Sequence, residues 1–368
     1  MDVAILGPSH PWRGGIAHHT ASLYRALQRE GHRPQVFNFA QLYPELFFPG
    51  KTQRDESESA FAVPAPQIYR PLDPLSWARV GKQLVETRPD RLVLQWWHPF
   101  FAPGYTAVSA AAKLAGAEVV MLCHNVEPHE QTPLDRALLQ IAYALPDRFV
   151  VQSEAERDKL AARIGERRPI TVAAHPRYEA FSELDADQTP AEAKRSYGVS
   201  AEHLILFFGL VRPYKGLDLL IDAAAKLDPA LDWEVLIAGE IYGSEDDYRR
   251  QIAARGLEER VHLQNRYVAN EEVPRLFRAA DVCVLPYRHA TGSGVANVAL
   301  ACGTPVVMSR LPTLEQAFSD APVEWFEPGD VEDLRRAIEQ ALEQDPSNES
   351  TESGSGWKEL VDALLFSP

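Results

Sequence analysis

A hydrophobic strand, a basic loop and the start of a helix follow one another in Phe207-Phe208-Gly209-Leu210-Val211-Arg212-Pro213-Tyr214-Lys215-Gly216-Leu217-Asp218. The apolar residues before Gly209 predict a buried strand, and the pattern from Leu217 onward predicts an amphipathic helix. Ligands of alternating strand–helix folds bind at the carboxyl ends of the strands, which is where this loop would lie. Arg212 offers a fork of donors and Lys215 a point charge, an arrangement suited to a diphosphate. The alternative interpretation is a solvated basic turn.

The same alternation of short apolar strands and amphipathic helices extends over the chain in two series of six strands, beginning at Val3–Leu6 and Leu204–Phe208. This pattern predicts parallel sheets covered on both faces. A length of 368 residues suits two α/β domains. The predicted fold class is therefore α/β, with two tandem Rossmann-like, doubly wound domains facing a central cleft. We expect an N-terminal domain at 1–175, a C-terminal domain at 176–345, and a linker with a terminal helix at 346–368 that packs back on the first domain.

Charge is unevenly distributed between the halves of the chain, whose net charge is −15. Residues 1–175 hold 19 basic and 18 acidic side chains, whereas residues 176–368 hold 18 and 34. Binding to nucleic acid requires a basic face, which a chain this acidic lacks. We therefore expect no nucleic-acid partner. The neutral first half is the better candidate for contact with an anionic surface, although the acidity of the second half can also simply maintain solubility.

Three further features predict a cytoplasmic location. No apolar run is long enough for a membrane span. The N-terminus enters a strand at once and has no basic segment typical of a signal peptide. The three cysteines, Cys123, Cys283 and Cys302, are too far apart in sequence for a disulfide or metal framework.

Two glycine-containing turns precede predicted helices. Gly14 and Gly15 follow the first strand, where adjacent glycines allow the backbone to approach an anion at a helix N-terminus. Their spacing differs from G-x-G-x-x-G, and no acidic residue ends the next strand, which disfavours a NAD site. The second turn, Thr291-Gly292-Ser293-Gly294-Val295, offers backbone donors and two hydroxyls to phosphate oxygens. Ser293 can equally act as a plain N-cap, and the two interpretations are compatible.

These segments together resemble the retaining glycosyltransferases of the family 4 (group 1) type, which have the GT-B fold. The resemblance rests on Gly14-Gly15-Ile16-Ala17, Arg212-Pro213-Tyr214-Lys215-Gly216, Ala238-Gly239-Glu240, Gly294 and Ala301-Cys302-Gly303-Thr304-Pro305. It implies transfer of a sugar from a nucleotide-diphosphate sugar, with UDP or GDP, to a hydroxyl of a glycan or lipid-linked glycan. Retention of configuration, a role in glycan or exopolysaccharide synthesis, and peripheral contact of the first domain with the inner face of a membrane are implied as well.

The resemblance also assigns roles to residues. Arg212 and Lys215 would neutralise the diphosphate leaving group, and His124 would lie near the sugar, so these three are the candidate catalytic residues. The main chain of Arg266, Tyr267 and Val268 would meet the nucleobase. The candidate donor-binding residues are Gly14, Gly15, Arg266, Tyr267, Val268, Thr291, Ser293, Gly294 and Val295.

Other histidines and the expected cofactors complete the site predictions. One of the adjacent His18 and His19 is expected to face the acceptor and the other to be solvated; His18 is the candidate. His129 either binds acceptor or orders its own loop with Glu130. No Asp-x-Asp motif ends a strand, so we expect a metal-independent enzyme without a cofactor beyond its nucleotide-sugar co-substrate.

Two departures from the family pattern keep other functions open. The family commonly has two glutamates at the positions that Ala290 and Val298 occupy here, and its arginine stands five residues before the lysine instead of three. A nucleotide-sugar 2-epimerase on the same fold is one alternative, although it too would want carboxylates. A catalytically degenerate nucleotide-sugar-binding protein is the other.

Overall fold

Two compact units make up the chain in the computed structural model. One comprises Met1–Pro176 with Ser355–Pro368, and the other Arg177–Gly354. The residues that the structure describes are 1–44, 53–55, 57, 62–128, 132–165, 168–178, 181, 188–290, 292–344 and 356–366.

The first unit is built on a seven-stranded parallel sheet of order β3-β2-β1-β4-β5-β6-β7. Its strands are β1 (Asp2–Leu6), β2 (Arg33–Phe39), β3 (Gln67–Tyr69), β4 (Arg91–Trp96), β5 (Glu118–Cys123), β6 (Arg148–Val151) and β7 (Ile170–Val172). The sequence predicted six of these strands and missed β3. That edge strand has only three residues and follows two prolines, Pro64 and Pro66, so it carries no readable alternation.

Five helices follow strands of the first unit: α1 (Gly15–Arg29), α2 (Pro74–Thr87), α3 (Ala102–Leu114), α4 (Pro133–Ala142) and α5 (Glu154–Ile164). Local sequence fixes where several begin. Asp73 caps α2 by accepting from the Leu75 amide at 2.9 Å, and Thr132 forms a capping box with Asp135 at the start of α4. Their apolar faces cover strand side chains such as Trp96 and Phe149, which are fully buried.

The second unit is built on a six-stranded parallel sheet of order β10-β9-β8-β11-β12-β13. Its strands are β8 (His203–Phe208), β9 (Trp233–Ala238), β10 (Val261–Gln264), β11 (Val282–Leu285), β12 (Val306–Ser309) and β13 (Val323–Phe326). Its helices are α6 (Pro190–Ser196), α7 (Leu217–Ala224), α8 (Glu245–Ala254), α9 (Val273–Ala279), α10 (Gly294–Ala301), α11 (Pro312–Ala317) and α12 (Val331–Glu343). All six strands were predicted from the sequence, whereas the six-residue α11 was not.

The C-terminal helix α13 (Trp357–Leu365) belongs to the first unit and packs against α1. Arg148, which is buried on β6, donates to the carbonyl oxygens of Ala363 at 2.9 Å and of Leu364. Cationic donors at a helix C-terminus satisfy carbonyls that lack partners within the helix and complement the helix dipole. Two arginine-bonded carbonyls therefore anchor the end of α13.

The order of the second sheet places the site. The chain leaves β8 toward β9 and reaches the opposite neighbour, β11, only later, so the direction of winding reverses between these two strands. Such a reversal opens a crevice at the carboxyl ends of the two strands, where ligands of doubly wound folds bind. None of the helices in the described residues is both long and apolar enough to cross a bilayer.

Candidate functional site

The loop from β8 to α7 is shaped by two glycines in the left-handed region. Gly209 has φ +93° and Gly216 has φ +71°, and a single 3₁₀ turn, Pro213–Lys215, lies between them. A Cβ on Gly216 would lie 2.0 Å from the carbonyl oxygen of Pro286 in the loop after β11. Glycine at 216 is thus required by both conformation and close approach.

Arg288 joins the loop after β11 to the loop after β8. Its backbone N–H donates to the Tyr214 carbonyl at 2.7 Å, and its Nη1 donates to the Pro213 carbonyl at 2.9 Å. The same guanidinium forms a bidentate pair with Asp218 in the first turn of α7, at 2.9 and 2.5 Å. The 3₁₀ turn that carries Lys215 is therefore held from outside by a neighbouring loop and a helix.

Lys215 points into the crevice between β8 and β11. Its Nζ lies 5.6 Å from the centre of the Tyr287 ring, and a Cβ placed on Gly209 would be 3.6 Å from it. Within the described part of the chain this ammonium forms neither an ion pair with a carboxylate nor a hydrogen bond. Burial, and then the neighbouring Arg212, lowers the pKa of Lys215 to about 8. The Lys215 side chain is still mostly protonated at neutral pH, so it provides a positive charge that is suited to bind an anion.

The N-terminus of α10 lies in the same crevice. Val295, in the first turn of α10, is close to Gly209, since a Cβ placed on Gly209 would lie 3.4 Å from Val295 Cγ2. Ser293 is buried and caps the helix by accepting from the Ala296 amide at 3.1 Å. Gly294, the first residue of α10, is exposed. The predicted lysine and the predicted helix start are thus brought together, whereas Thr291 lies outside the described residues.

Arg212 follows β8 and the segment 266–268 follows β10, the two strands that flank β9. The exposed Arg212 guanidinium stands over the Tyr242 ring, which follows β9, at 5.1 Å. Arg266 follows β10 and pairs with Glu272 at 2.7 and 2.5 Å, which raises the pKa of Arg266. Tyr267 is half-buried and Val268 is buried, so Val268 offers mainly its backbone.

The first unit places the glycine turn and His124 at the carboxyl ends of β1 and β5. Gly14 has φ +110° and precedes α1, whose first residue, Gly15, is exposed; among the residues described, no side chain caps this helix start. His124 Nε2 lies 2.5 Å from Gln95 Oε1, and its Nδ1 lies 3.3 Å from Gln152 Nε2. The two amides favour a neutral ring that donates through Nε2, and burial lowers the pKa of His124 to about 3.

Three aromatic side chains, one of them His124, surround His19. His19, on α1, is fully buried, and its ring centre lies 4.7 Å from that of His124, 5.3 Å from that of His175 and 5.1 Å from that of Trp357 on α13. Burial lowers the pKa of His19 and of His175. The expectation that one of His18 and His19 is solvated was wrong, because His18 is half-buried and α13 closes over His19. His129 lies outside the described residues.

Ala290 and Val298 occupy the two positions where the family has glutamates, and the described contacts of these two residues include no replacement carboxylate. Val298 is buried in α10, and Ala290 accepts a hydrogen bond from Thr313 through its carbonyl. Among the described residues no group of three or more His, Cys, Asp or Glu is arranged to hold a metal ion. Sequence reasoning missed the residues that shape the crevice, namely Gly209, Tyr287, Asp218 and Arg288. It also missed Gln95 and Gln152, which orient His124, because hydrogen bonds between strand ends leave no local signal.

Two family models match the chain, one on each unit. The model described as Glycosyltransferase Family 4 matches residues 13–176, and the model described as Glycosyl transferases group 1 matches residues 191–354.

Similar proteins include D-inositol 3-phosphate glycosyltransferases. That of Mycolicibacterium smegmatis is 32% identical over 60% of this chain and 52% of its own length. That of Saccharomonospora viridis is 29% identical over 71% of this chain and 64% of its own length. The matched part of the chain therefore spans about half to two thirds of the length of these two curated relatives.

Solved structures share the fold over nearly the whole chain. Anabaena HepE in complex with UDP and glucose aligns with a TM-score of 0.70 and 19% identity, covering 94% of this chain and 90% of HepE. WaaG, a glycosyltransferase involved in lipopolysaccharide biosynthesis, aligns with a TM-score of 0.67 and 17% identity, covering 100% of both chains. With the two family models on its two Rossmann-like units, the chain belongs to the group 1 (family 4) glycosyltransferases and has the GT-B fold.

Proposed function

We propose that this member of the group 1 glycosyltransferases transfers a sugar from a nucleotide-diphosphate sugar to a hydroxyl acceptor, with retention of anomeric configuration. The observation that carries the proposal is the uncompensated Lys215 ammonium beside the N-terminus of α10. Cleavage of the glycosyl–phosphate bond leaves negative charge on the diphosphate. A fixed cation and helix amides aimed at that charge stabilise it as it develops.

The remaining candidate residues take complementary roles in this proposal. Arg212 adds positive charge at the rim of the crevice, Ser293 and Gly294 present the start of α10 to a phosphate, and the backbone at 266–268 receives the nucleobase. In the first unit, Gly14 and Gly15 would lie against the donor diphosphate at the start of α1, which no side chain caps among the described residues. His124, held neutral by two glutamines that take up both of its ring nitrogens, would place an uncharged ring beside the sugar. His18 and His129 are proposed acceptor contacts.

Metal independence is part of the proposal. Lys215, Arg212 and the start of α10 supply the positive charge that a divalent ion would otherwise bring to the diphosphate. Excess EDTA should therefore leave the rate of nucleotide release unchanged. A rate that disappears with EDTA and returns with Mg²⁺ or Mn²⁺ would contradict this part alone.

The donor and acceptor to test first come from the similar proteins. HepE was solved with UDP and with UDP-glucose, and the curated relatives are named for D-inositol 3-phosphate. The decisive assay supplies UDP-, GDP- or ADP-glucose with D-inositol 3-phosphate or an oligosaccharide and follows nucleotide release and product mass. An α-linked product from an α-linked donor supports retention, and inversion at the anomeric carbon would refute it.

One specific observation favours a second function, a nucleotide-sugar-binding protein without turnover. Ala290 and Val298 cannot supply the carboxylates of the usual motif. In that case the donor would raise the melting temperature, but no acceptor would release nucleotide. Epimerised donor formed without acceptor would instead indicate a 2-epimerase, and either outcome would replace the transfer proposal.

A membrane surface is the proposed location of the acceptor, on the inner face, and the first unit offers a face for it. Six large apolar side chains are strongly exposed on or beside α2, α3 and α4: Leu72, Leu75, Val85, Leu114, Leu134 and Ile141. A groove of about 560 Å³ separates α2 from α3. Exposed basic side chains at Arg70, Arg79, Lys82 and Arg88 flank this face, a combination suited to anionic lipid.

Vesicle co-sedimentation tests the membrane contact. The protein should bind vesicles of phosphatidylglycerol and phosphatidylcholine more tightly than pure phosphatidylcholine, and Leu114→Glu should weaken that binding. Phe366→Glu, at an exposed apolar residue that lies outside α2, α3 and α4, serves as the control. Equal binding of both variants would exclude this face.

A further inference from the structure

A second cavity lies in the C-terminal unit, between the beginning of α7 and the beginning of α8. Its volume is about 650 Å³, within the range of pockets that hold small ligands. Its walls come from the loops after β8, β9 and β11 and from the first turns of both helices. None of the roles assigned above uses this cavity.

The cavity and the Lys215 crevice are both formed by the loops after β8 and β11, but different residues line them. Tyr214 lines the cavity, whereas Lys215, the next residue, points toward Tyr287 in the crevice. Arg288 lines the cavity too, whereas Tyr287, the residue before it, does not. Ser293 and Val295, at the start of α10, are also absent from the lining. The cavity is therefore a separate site and not an extension of the proposed diphosphate site.

Aromatic side chains dominate the walls of the cavity. Tyr214 and His289 stack with ring centres 5.3 Å apart, and Tyr242 and Tyr248 contribute two more rings. Arg212 covers the Tyr242 ring at 5.1 Å. Aromatic faces carry negative electrostatic potential, and they attract C–H groups that bear partial positive charge.

Polar groups inside the cavity are already matched in charge. Arg288 is neutralised by its bidentate pair with Asp218, and Asp247 pairs with Arg250. Gln251 donates to the Asp218 carbonyl at 2.9 Å and to Asp222 at 2.8 Å. Among the described residues that line the cavity, the only guanidinium is that of the paired Arg288, so the lining has no free guanidinium for a phosphate. The paired carboxylates retain lone pairs for hydroxyl donors.

We propose that this cavity binds a neutral saccharide, with a pyranose ring packed on the tyrosines and its hydroxyls bonded to the Asp218–Arg288 pair. A pyranose has the required combination of an apolar C–H face and a rim of hydroxyls. The choice of a saccharide rests partly on the proposed function. The cavity extends that function, because it gives the second unit a binding site for a glycan that is separate from the donor site. A nucleobase could also stack here, and the experiment separates the two.

Saturation-transfer NMR on the full-length chain tests the site with three probes: maltotriose, cellotriose and mannotriose. At least one should receive magnetisation and titrate with a measurable Kd. Tyr248→Ala should weaken that binding by roughly three- to tenfold through loss of one stacked ring. Tyr248→Phe, the matched control, keeps the ring and should stay close to the unchanged protein.

A second variant guards against misfolding of Tyr248→Ala. Asp247 is exposed on the first turn of α8 and lines the cavity, so Asp247→Trp should fill the space and abolish saccharide binding without emptying the core. The proposal is overturned if none of the three trisaccharides binds, if both variants bind them unchanged, or if uridine displaces the saccharide.

UDP binding, followed by thermal shift, separates this site from the proposed function. Tyr248→Ala should keep the UDP-induced shift, whereas Lys215→Ala should lose it and still bind the saccharide. Loss of both ligands in either variant would refute two independent sites. Saccharide binding without any UDP shift in the unchanged protein would leave the cavity assignment standing and refute the donor site.

Discussion

The Lys215 crevice of the second unit and the histidine cluster of the first unit (His19, His124 and His175) solve the same physical problem in opposite ways. Both hold ionisable side chains at reduced exposure near the carboxyl ends of parallel strands, with His19 fully buried and Lys215, His124 and His175 half-buried. The lysine remains mostly charged at neutral pH, with no acid to neutralise it among the described residues. The histidines are held neutral, because burial lowers the pKa of each.

The difference lies in which partners the fold provides. An unpaired buried cation is costly unless an anion joins it, so the crevice gains most when a diphosphate binds. The neutral His124 imidazole bonds to Gln95 and Gln152 through its two ring nitrogens, so the ring is fixed in place without adding charge. In the proposed reaction, one unit thus holds charge for the leaving group, and the other holds an uncharged ring beside the sugar.

Lys215→Ala should have the largest effect of any single change. We expect turnover to fall by about 100- to 1,000-fold, because a preorganised charge aimed at the transition state is lost. The melting temperature should stay equal or rise, since the substitution also removes a desolvated cation. Steady-state kinetics and thermal unfolding measure the two quantities. Lys226→Ala, which breaks only a surface pair with Glu332, is the control.

The comparison would fail at this point if Lys215→Ala kept its full rate. It would fail as well if the variant lost activity only in proportion to a loss of folded protein, because the lysine would then be structural.

Gly216→Ala should have the next largest effect, and it tests whether the crevice is held by backbone packing. Gly198→Ala is the matched control, because its φ of +75° is close to the +71° of Gly216 but a Cβ there meets nothing within 4 Å. Left-handed alanine alone should cost about 1–2 kcal/mol at either position. The collision with the Pro286 carbonyl should add roughly 1–3 kcal/mol at Gly216. Urea unfolding gives both values, and equal losses would show that the loop yields easily.

The smallest expected effect is the pH dependence of the histidine cluster. Because the folded-state pKa of each histidine lies below the ordinary 6.5, the unfolded chain binds more protons as the pH falls below that value. The stabilisation is complete above pH 6.5 and declines toward acid, by at most about 1.4 kcal/mol per pH unit for each histidine. His19→Phe should remove one such contribution.

Hydrogen exchange of α13, read between pH 7.5 and 5, measures this effect, because Trp357 covers His19. The acid-induced loss of protection in α13 should be smaller in His19→Phe, while β8 in the second unit serves as the internal reference. An identical slope in both proteins would show that the cluster does not govern the acid sensitivity of the first unit.

Much of the fold could be predicted from the local sequence pattern. The site predictions depend on the same pattern, because most candidate residues lie at the ends of predicted strands. All six strands of the second unit were predicted, and with them the strand ends that carry Lys215, Arg266 and Ser293. Strand β3 and helix α11 were missed because such short elements contain too few residues to show a hydrophobic period. The catalytic and binding roles assigned to all the candidate site residues stay predictions, and His129 and Thr291 lie outside the described residues.

The sequence by itself determined the order of elements, the family and the loops that end each strand, since each of these depends on neighbouring residues. Only the tertiary structure decided which side chains keep a charge and which are neutral. Among the described residues Lys215 has no acid partner, whereas Arg288 and Arg266 are paired with Asp218 and Glu272. His19 is enclosed because α13 returns to α1. Burial and ion pairing are set by distances between segments far apart in the chain, and no local pattern encodes those distances.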